Sequence, residues 1–154
     1  MKKSLFMCLL VVSSLFSGEI KVSDKNATDV IYQLDLKKYP KFICEAVLDD
    51  GKKVQFVSVK SMMQVYFHQP YFKKHKLISS NIKQMYVQDY LDGTKIDAKN
   101  AKYMFGSRLV GPHGDDLIPL KNDANAKLFK FKYGGTKLLP FQRLSKGLMK
   151  YLDM

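Results

Sequence analysis

Residues 41–67, KFICEAVLDDGKKVQFVSVKSMMQVYF, hold most of one folding unit. Phe42, Cys44, Ala46 and Leu48 recur at every second position, the period of a strand with one face against a core. Asp49-Asp50-Gly51-Lys52 reads as a hairpin turn, because Asp and Gly tolerate positive φ. Val54 to Val57 returns as the partner strand. Ser58 or Ser61 then caps a helix. In it Met62, Met63, Tyr66 and Phe67 follow at spacings that share one face, and Pro70 ends or kinks it. Gln84 to Tyr90 alternates as a further strand, closed by the turn Leu91-Asp92-Gly93-Thr94.

The second half repeats this order. Ala101 to Gly106 is a strand, Gly111-Pro112-His113-Gly114 a turn, and Leu117 to Leu120 a short strand. Asn122 or Asp123 caps a helix carrying Ala126, Leu128, Phe129 and Phe131. Tyr133-Gly134-Gly135 stops it, with Gly135 able to take the left-handed conformation of helix ends. Lys137 to Phe141 is the last strand. One such unit has too little core to stand alone. The expected fold is therefore α+β, two tandem ββαβ modules packed together, spanning residues 39–90 and 91–142. Residues 19–38 are an arm or linker lying on the domain, and 143–154 a tail or short helix.

The chain begins as an export signal would. Met1-Lys2-Lys3 is a positive start, and Leu5 to Phe16 is apolar apart from Ser13 and Ser14. The apolar run falls short of the ~20 residues that a membrane-spanning helix needs. The expectation is a signal peptide over residues 1–18 and a periplasmic protein, with an uncleaved anchor as the alternative. Cys8 lies inside the apolar run without a lipidation motif, so the chain is not an evident lipoprotein. Cys44 is then the lone thiol of the mature chain, which leaves no internal disulfide. It reads first as a small buried strand residue and second as a metal or redox thiol.

The formal charge is +12, and all the basic residues except Arg108 and Arg143 are lysine, spread along the chain. Nucleic-acid readers favour clustered arginine, so nucleic acid is not the expected partner. A solvated lysine surface is the plain reading. Attraction to acidic partners, or peripheral association with an anionic membrane, follows from the same charge.

Several blocks together resemble the NosL family. Lys38-Tyr39-Pro40-Lys41-Phe42 is similar to its opening "KYP" plus aromatic, and Lys60 to Phe67 to its "K-x-M-M-x-x-Y-F" helix. Met85-Tyr86-Val87-Gln88-Asp89-Tyr90, followed by Ile96-Asp97-Ala98, matches "I-Y-V-x-D-Y" and "x-I-D-A". Tyr103 to Ser107 resembles "Y-x-x-G-S", and Gly111 to Leu120 resembles "G-P-M-G-x-x-L-I-P-F". The blocks are individually weak, but their order and spacing are specific. The resemblance implies a fold of two ββαβ modules. It also implies a periplasmic, copper-binding metallochaperone, an accessory of denitrification that supplies copper as Cu(I) to nitrous oxide reductase or its assembly machinery.

The chain departs from that pattern where the family carries its sulfur ligands. The family's "C-x-x-C-G-M" segment is replaced by Val30-Ile31-Tyr32-Gln33-Leu34-Asp35-Leu36, and the methionine of "G-P-M-G" by His113. Thiolate and thioether suit Cu(I), whereas imidazole accepts copper, zinc and other metals. His113 is the preferred donor, with Asp115 or Asp116 close enough in sequence to ligate or orient it. Met63 and Met104 are the thioether candidates if they face the 111–114 turn. The plainer readings are a solvent-facing turn histidine and two core methionines. His68 and His75 read as surface histidines. No G-x-S-x-G, H-E-x-x-H or zinc-spaced cysteine pair is present, so an enzyme is not expected. The rival reading is a metal-free interaction module that contacts an envelope assembly complex.

Overall fold

Residues 44–67 form the hairpin and helix their pattern implies, whereas Phe42 lies in a turn before the strand and packs against Tyr90 instead of joining the face of Cys44. In a computed structural model, which describes residues 18–24 and 27–154, β1 (Cys44–Leu48) pairs antiparallel with β2 (Lys53–Phe56). The expected export signal lies outside the described residues apart from Gly18. Ser58 is the cap of α1 (Val59–Phe67), its hydroxyl accepting from the Ser61 amide. α1 stops three residues before Pro70, and α2 (Gln69–Lys74) starts with that proline in its first turn, where no amide proton is needed. β3 (Ile82–Gln88) returns beside β1. β4 (Lys95–Asp97), which sequence alternation did not reveal, pairs with β3. The first sheet therefore runs β2-β1-β3-β4.

The second sheet repeats the central plan in the order β6-β5-β7. It comprises β5 (Lys102–Phe105), β6 (Ile118–Leu120) and β7 (Lys137–Pro140), with α3 (Asp123–Tyr133) between β6 and β7. Asn122 caps α3 as Ser58 caps α1, accepting from the Asn125 amide. Gly134 and Gly135 both have positive φ after α3. At Gly135 a Cβ would also strike the Met104 thioether, so the stop and the packing demand glycine together. α4 (Lys146–Leu152), capped by Ser145, lies against α1.

Strand alternation divides the burial. Cys44, Ala46, Leu48, Met85 and Val87 face a main core that also holds Met62 and Met63 of α1 and Met149 and Leu152 of α4. From the other module Tyr103 and Leu117 enter the same core, and the Tyr103 hydroxyl donates to the Ala98 carbonyl at 2.6 Å. Met104, one residue on, points the other way into a smaller core with Ile118, Leu120, Ala126 and Phe129. The opposite face of the first sheet is covered by the arm. Ile20, Leu36 and Ile43 pack there with Val57. Gln55 takes the Ser23 amide and donates to the Lys21 carbonyl, and Gln88 accepts from the Ile20 amide.

Asp89, buried at the end of β3, joins the modules. One carboxylate oxygen accepts from the Leu91 and Asp92 amides, the other from the Lys121 amide and the Asn125 side chain. No helix among the described residues is long and apolar enough to cross a membrane.

Candidate metal centre

His113 sits on the turn between Gly111 and Gly114, which bridge to each other. Its side chain is about half exposed (54%), and its ring stacks on Tyr32 with centroids 4.0 Å apart and planes 13° from parallel. His113 Nδ1 lies 3.8 Å from Oδ1 of Asp153, at the end of α4. That carboxylate accepts from the Tyr32 hydroxyl at 2.8 Å and from Gln64 Nε2 at 2.9 Å. The 30–36 stretch and the 111–114 turn thus meet face to face, with Asp153 at the end of α4 supplying a carboxylate beside them.

Beneath this surface lies Lys60, whose side chain is fully buried. Its ammonium donates to the His113 carbonyl at 2.6 Å and the Leu152 carbonyl at 3.0 Å, and lies 3.4 Å from Asp153 Oδ1. Two carbonyls accept its hydrogen bonds and a carboxylate pairs its charge, the condition under which a buried ammonium is tolerated. The cation also sits 5.4 Å from the centre of the Tyr32 ring. Lys60 therefore ties α1, the 111–114 turn and α4 to one point.

Two buried carboxylates fix the elements around it. Asp29 accepts from the Ile31 and Tyr32 amides with one oxygen, and from the Val57 amide and the Ser61 hydroxyl with the other. It anchors the segment that presents Tyr32 to the start of α1. Asp116 Oδ1 accepts from the Lys60 and Leu117 amides, while Oδ2 has no hydrogen-bond partner among the described residues. Burial pushes Asp116 up to about 6 against the opposing pull of Ser58, those two amides and the Lys60 charge.

The charges define what the cluster can do. Burial raises Tyr32 far above the usual phenol range, helped by its bond to Asp153 and by the charges of Asp153, Asp116 and Asp29. Tyr32 is therefore a phenol that orients Asp153, not a phenolate donor. For Asp153 burial works upward, but hydrogen bonds from Tyr32 and Gln64 and the Lys60 charge outweigh it and hold the carboxyl low. It is ionised at neutral pH. His113, Asp115, Asp153 and the thioether-bearing Met154 line one open cavity of about 630 Å³. Imidazole, carboxylate and thioether are donors that copper accepts.

The other expected donors are placed differently. Asp115 reaches the cavity, but Met63 and Met104 do not line it and lie buried in the two separate cores. Met63 is inward on α1, and Met104 is held by strand register opposite Ile118 and Leu138. Cys44 is in the main core with its thiol against the Phe42 carbonyl, where burial pushes the thiol well up, and it does not line the His113 cavity. Among the described residues no group of three or more His, Cys, Asp or Glu could hold a metal ion. His68 sits with Nδ1 2.9 Å from the Gln64 carbonyl, and His75 against Tyr71.

Sequence reasoning missed Tyr32, Gln64, Lys60 and Asp153. The available signal was Lys60, a lysine three residues before an inward methionine on the same helix.

The NosL family profile matches residues 19–149. Among solved structures the chain is similar to the copper chaperone NosL from Shewanella denitrificans, with 22% identity and a TM-score of 0.52 over 68% of this chain and 79% of that one. It is also similar to the solution structure of apo-NosL from Achromobacter cycloclastes, with 19% identity and a TM-score of 0.46 over 69% and 87%. No curated protein matches. With a profile match over most of its length and the twin-sheet α+β fold, the chain belongs to the NosL family.

Proposed function

We propose that the protein is a non-enzymatic copper carrier, with the ion as cargo held at the His113 surface and passed to a copper-requiring enzyme outside the cytoplasm. Nitrous oxide reductase or its assembly machinery is the client that the family relationship favours. The observation that carries this reading is the stacking of Tyr32 on His113 at 4.0 Å. It brings together the two segments where the resemblance places sulfur donors, and Asp153 adds a carboxylate beside them. His113 is the primary donor, Asp153 and Met154 its companions, and Asp115 lies within the same cavity.

The donor set is harder than thiolate and thioether alone, so preference moves from Cu(I) toward metals that accept imidazole and carboxylate. The Lys60 ammonium, 3.4 Å from Asp153, repels a second cation and weakens binding. Weak, open binding suits cargo that leaves by ligand exchange when a partner docks.

Titration of the protein with Cu(I) and with Cu(II), each against a competing chelator, tests the proposal. His113→Ala is expected to lower affinity at least about tenfold, a loss of about 1.4 kcal/mol. Unchanged affinity in that variant removes the site from the model. The second reading, a metal-free interaction module, draws on the lack, among the described residues, of three grouped His, Cys, Asp or Glu donors and on the ammonium seated beneath His113. Metal analysis of the purified protein, metal-replete against metal-free, separates the two.

A further inference from the structure

α3 turns only Ala126 and Phe129 fully inward. The residues opposite them, Ala124, Lys127, Leu128 and Phe131, recur at three- and four-residue spacing and share the outer face. Phe131 is 89% exposed and Leu128 58%, and Leu138 on the neighbouring edge strand β7 is 38% exposed. Lys127, Lys130 and Lys132 flank the two apolar side chains on the helix, and Lys137 opens β7; all four are exposed. Arg108 lies across the end of the helix, donating to the Lys132 carbonyl. Asp123, the acidic residue of this helix, is paired with Lys102 and also feels Lys127, so it leaves the patch positive.

A phenylalanine and a leucine at the crest of a helix, flanked by lysines, place apolar and cationic groups on one surface, a combination that interfacial helices use. Its shape and charge chemistry distinguish the possible occupants. A protein hot spot is a side chain seated in a desolvated pocket. Here Phe131 is itself the projecting side chain, 89% exposed. Lysine is a point charge on a flexible stem, able to reach phosphodiester headgroups while its methylenes lie along apolar material. Carboxylate recognition on a protein partner favours arginine forks, and α3 carries none.

We propose that the outer face of α3 docks on an anionic lipid bilayer. Phe131 and Leu128 enter the headgroup–acyl boundary, and Lys127, Lys130, Lys132 and Lys137 contact the phosphates. This surface is formed by the second module, on a helix that contributes nothing to the His113 cavity.

The chain has no tryptophan, so Phe131→Trp introduces a single indole at the crest. The full chain is mixed with vesicles of phosphatidylcholine, or of phosphatidylcholine and phosphatidylglycerol in equal parts. Indole emission is expected to shift to the blue with the anionic vesicles alone and to return as salt screens the lysines. Because the apolar stretch Leu5–Phe16 can itself enter lipid, the location of the response matters. Tyr71→Trp, on α2 of the first module, is expected to stay unshifted. In sedimentation, Leu128→Ser with Phe131→Ser is expected to cut bound protein about tenfold, since both side chains lose their apolar burial. Circular dichroism checks that these exposed substitutions leave the fold intact. A silent indole at 131, a shift at 71 in its place, or sedimentation unaffected by the double serine variant overturns the proposal. An indole shift with polyglutamate but not with anionic vesicles also overturns it, in favour of an acidic protein.

Discussion

The two modules share one plan and spend it differently. Each sets its first strand between the other two and places a helix between the second and third, capped by a side chain that accepts from the third helical amide. In the first module α1 buries nearly every residue of its first two turns, including a lysine, and the arm covers the far face of the sheet. In the second, α3 buries two residues and leaves its crest in water. A repeated topology therefore sets where elements go, while the residues at equivalent helix positions set whether a module serves as foundation or as surface.

The contrast is sharpest between two lysines. Lys60→Met leaves two buried backbone carbonyls without their donor, at about 1–3 kcal/mol each, and takes one of several partners from Asp153. Lys127→Met on exposed α3 is expected within about 0.5 kcal/mol of the parent. Urea denaturation of both variants measures the gap, and equal losses would erase the distinction between foundation and surface.

Asp116 supplies a test of the foundation alone. Its carboxyl is raised in the folded state, to about 6, so the folded protein binds the proton more tightly than the unfolded chain does. Ionised Asp116 therefore costs stability above pH 6, and that cost is relieved as pH falls from about 6 toward the ordinary aspartate value near 4. The gain is about 3 kcal/mol at most. Asp116→Asn is expected to flatten denaturation midpoints across this window. A parent whose stability falls steadily from pH 7 to 5 would contradict the assignment.

The caps test the likeness between modules. Ser58→Ala and Asn122→Ala are each expected to cost about 1 kcal/mol. A much smaller loss at Asn122 would mean that α3 frays and is less like α1 than its geometry. Smallest of all, Phe131→Ser is expected to change stability by no more than about 0.5 kcal/mol, in contrast to the ~3–5 kcal/mol of Phe129→Ala two residues away.

Much of this architecture is legible in the chain because local chemistry decides it. Strand alternation through Cys44, Ala46 and Leu48, the Asp-Gly turn, the Ser58 cap and the double-glycine stop need no distant partner. β4 escaped because Lys95-Ile96-Asp97 is too short to show a period, and its pairing depends on β3. Leu128 and Phe131 show another limit: the sequence places them on the helix beside Ala126 and Phe129, but only the fold shows that they lie on its outer face. At the site, His113 and its departure from the family motif were readable. Its true neighbours were not, since Tyr32, Lys60 and Asp153 come from three distant segments joined only by tertiary folding. Met63 and Met104 carried suitable sulfur, but their directions were already committed by helix phase and strand register.

The bond from the Tyr32 hydroxyl to Asp153 spans 121 positions of the chain. Drawing ends so far apart together has an entropic cost that only the completed fold offsets. A nascent or partly threaded chain therefore lacks this contact, and the surface that joins Tyr32, His113 and Asp153 is complete only once the last helix has docked.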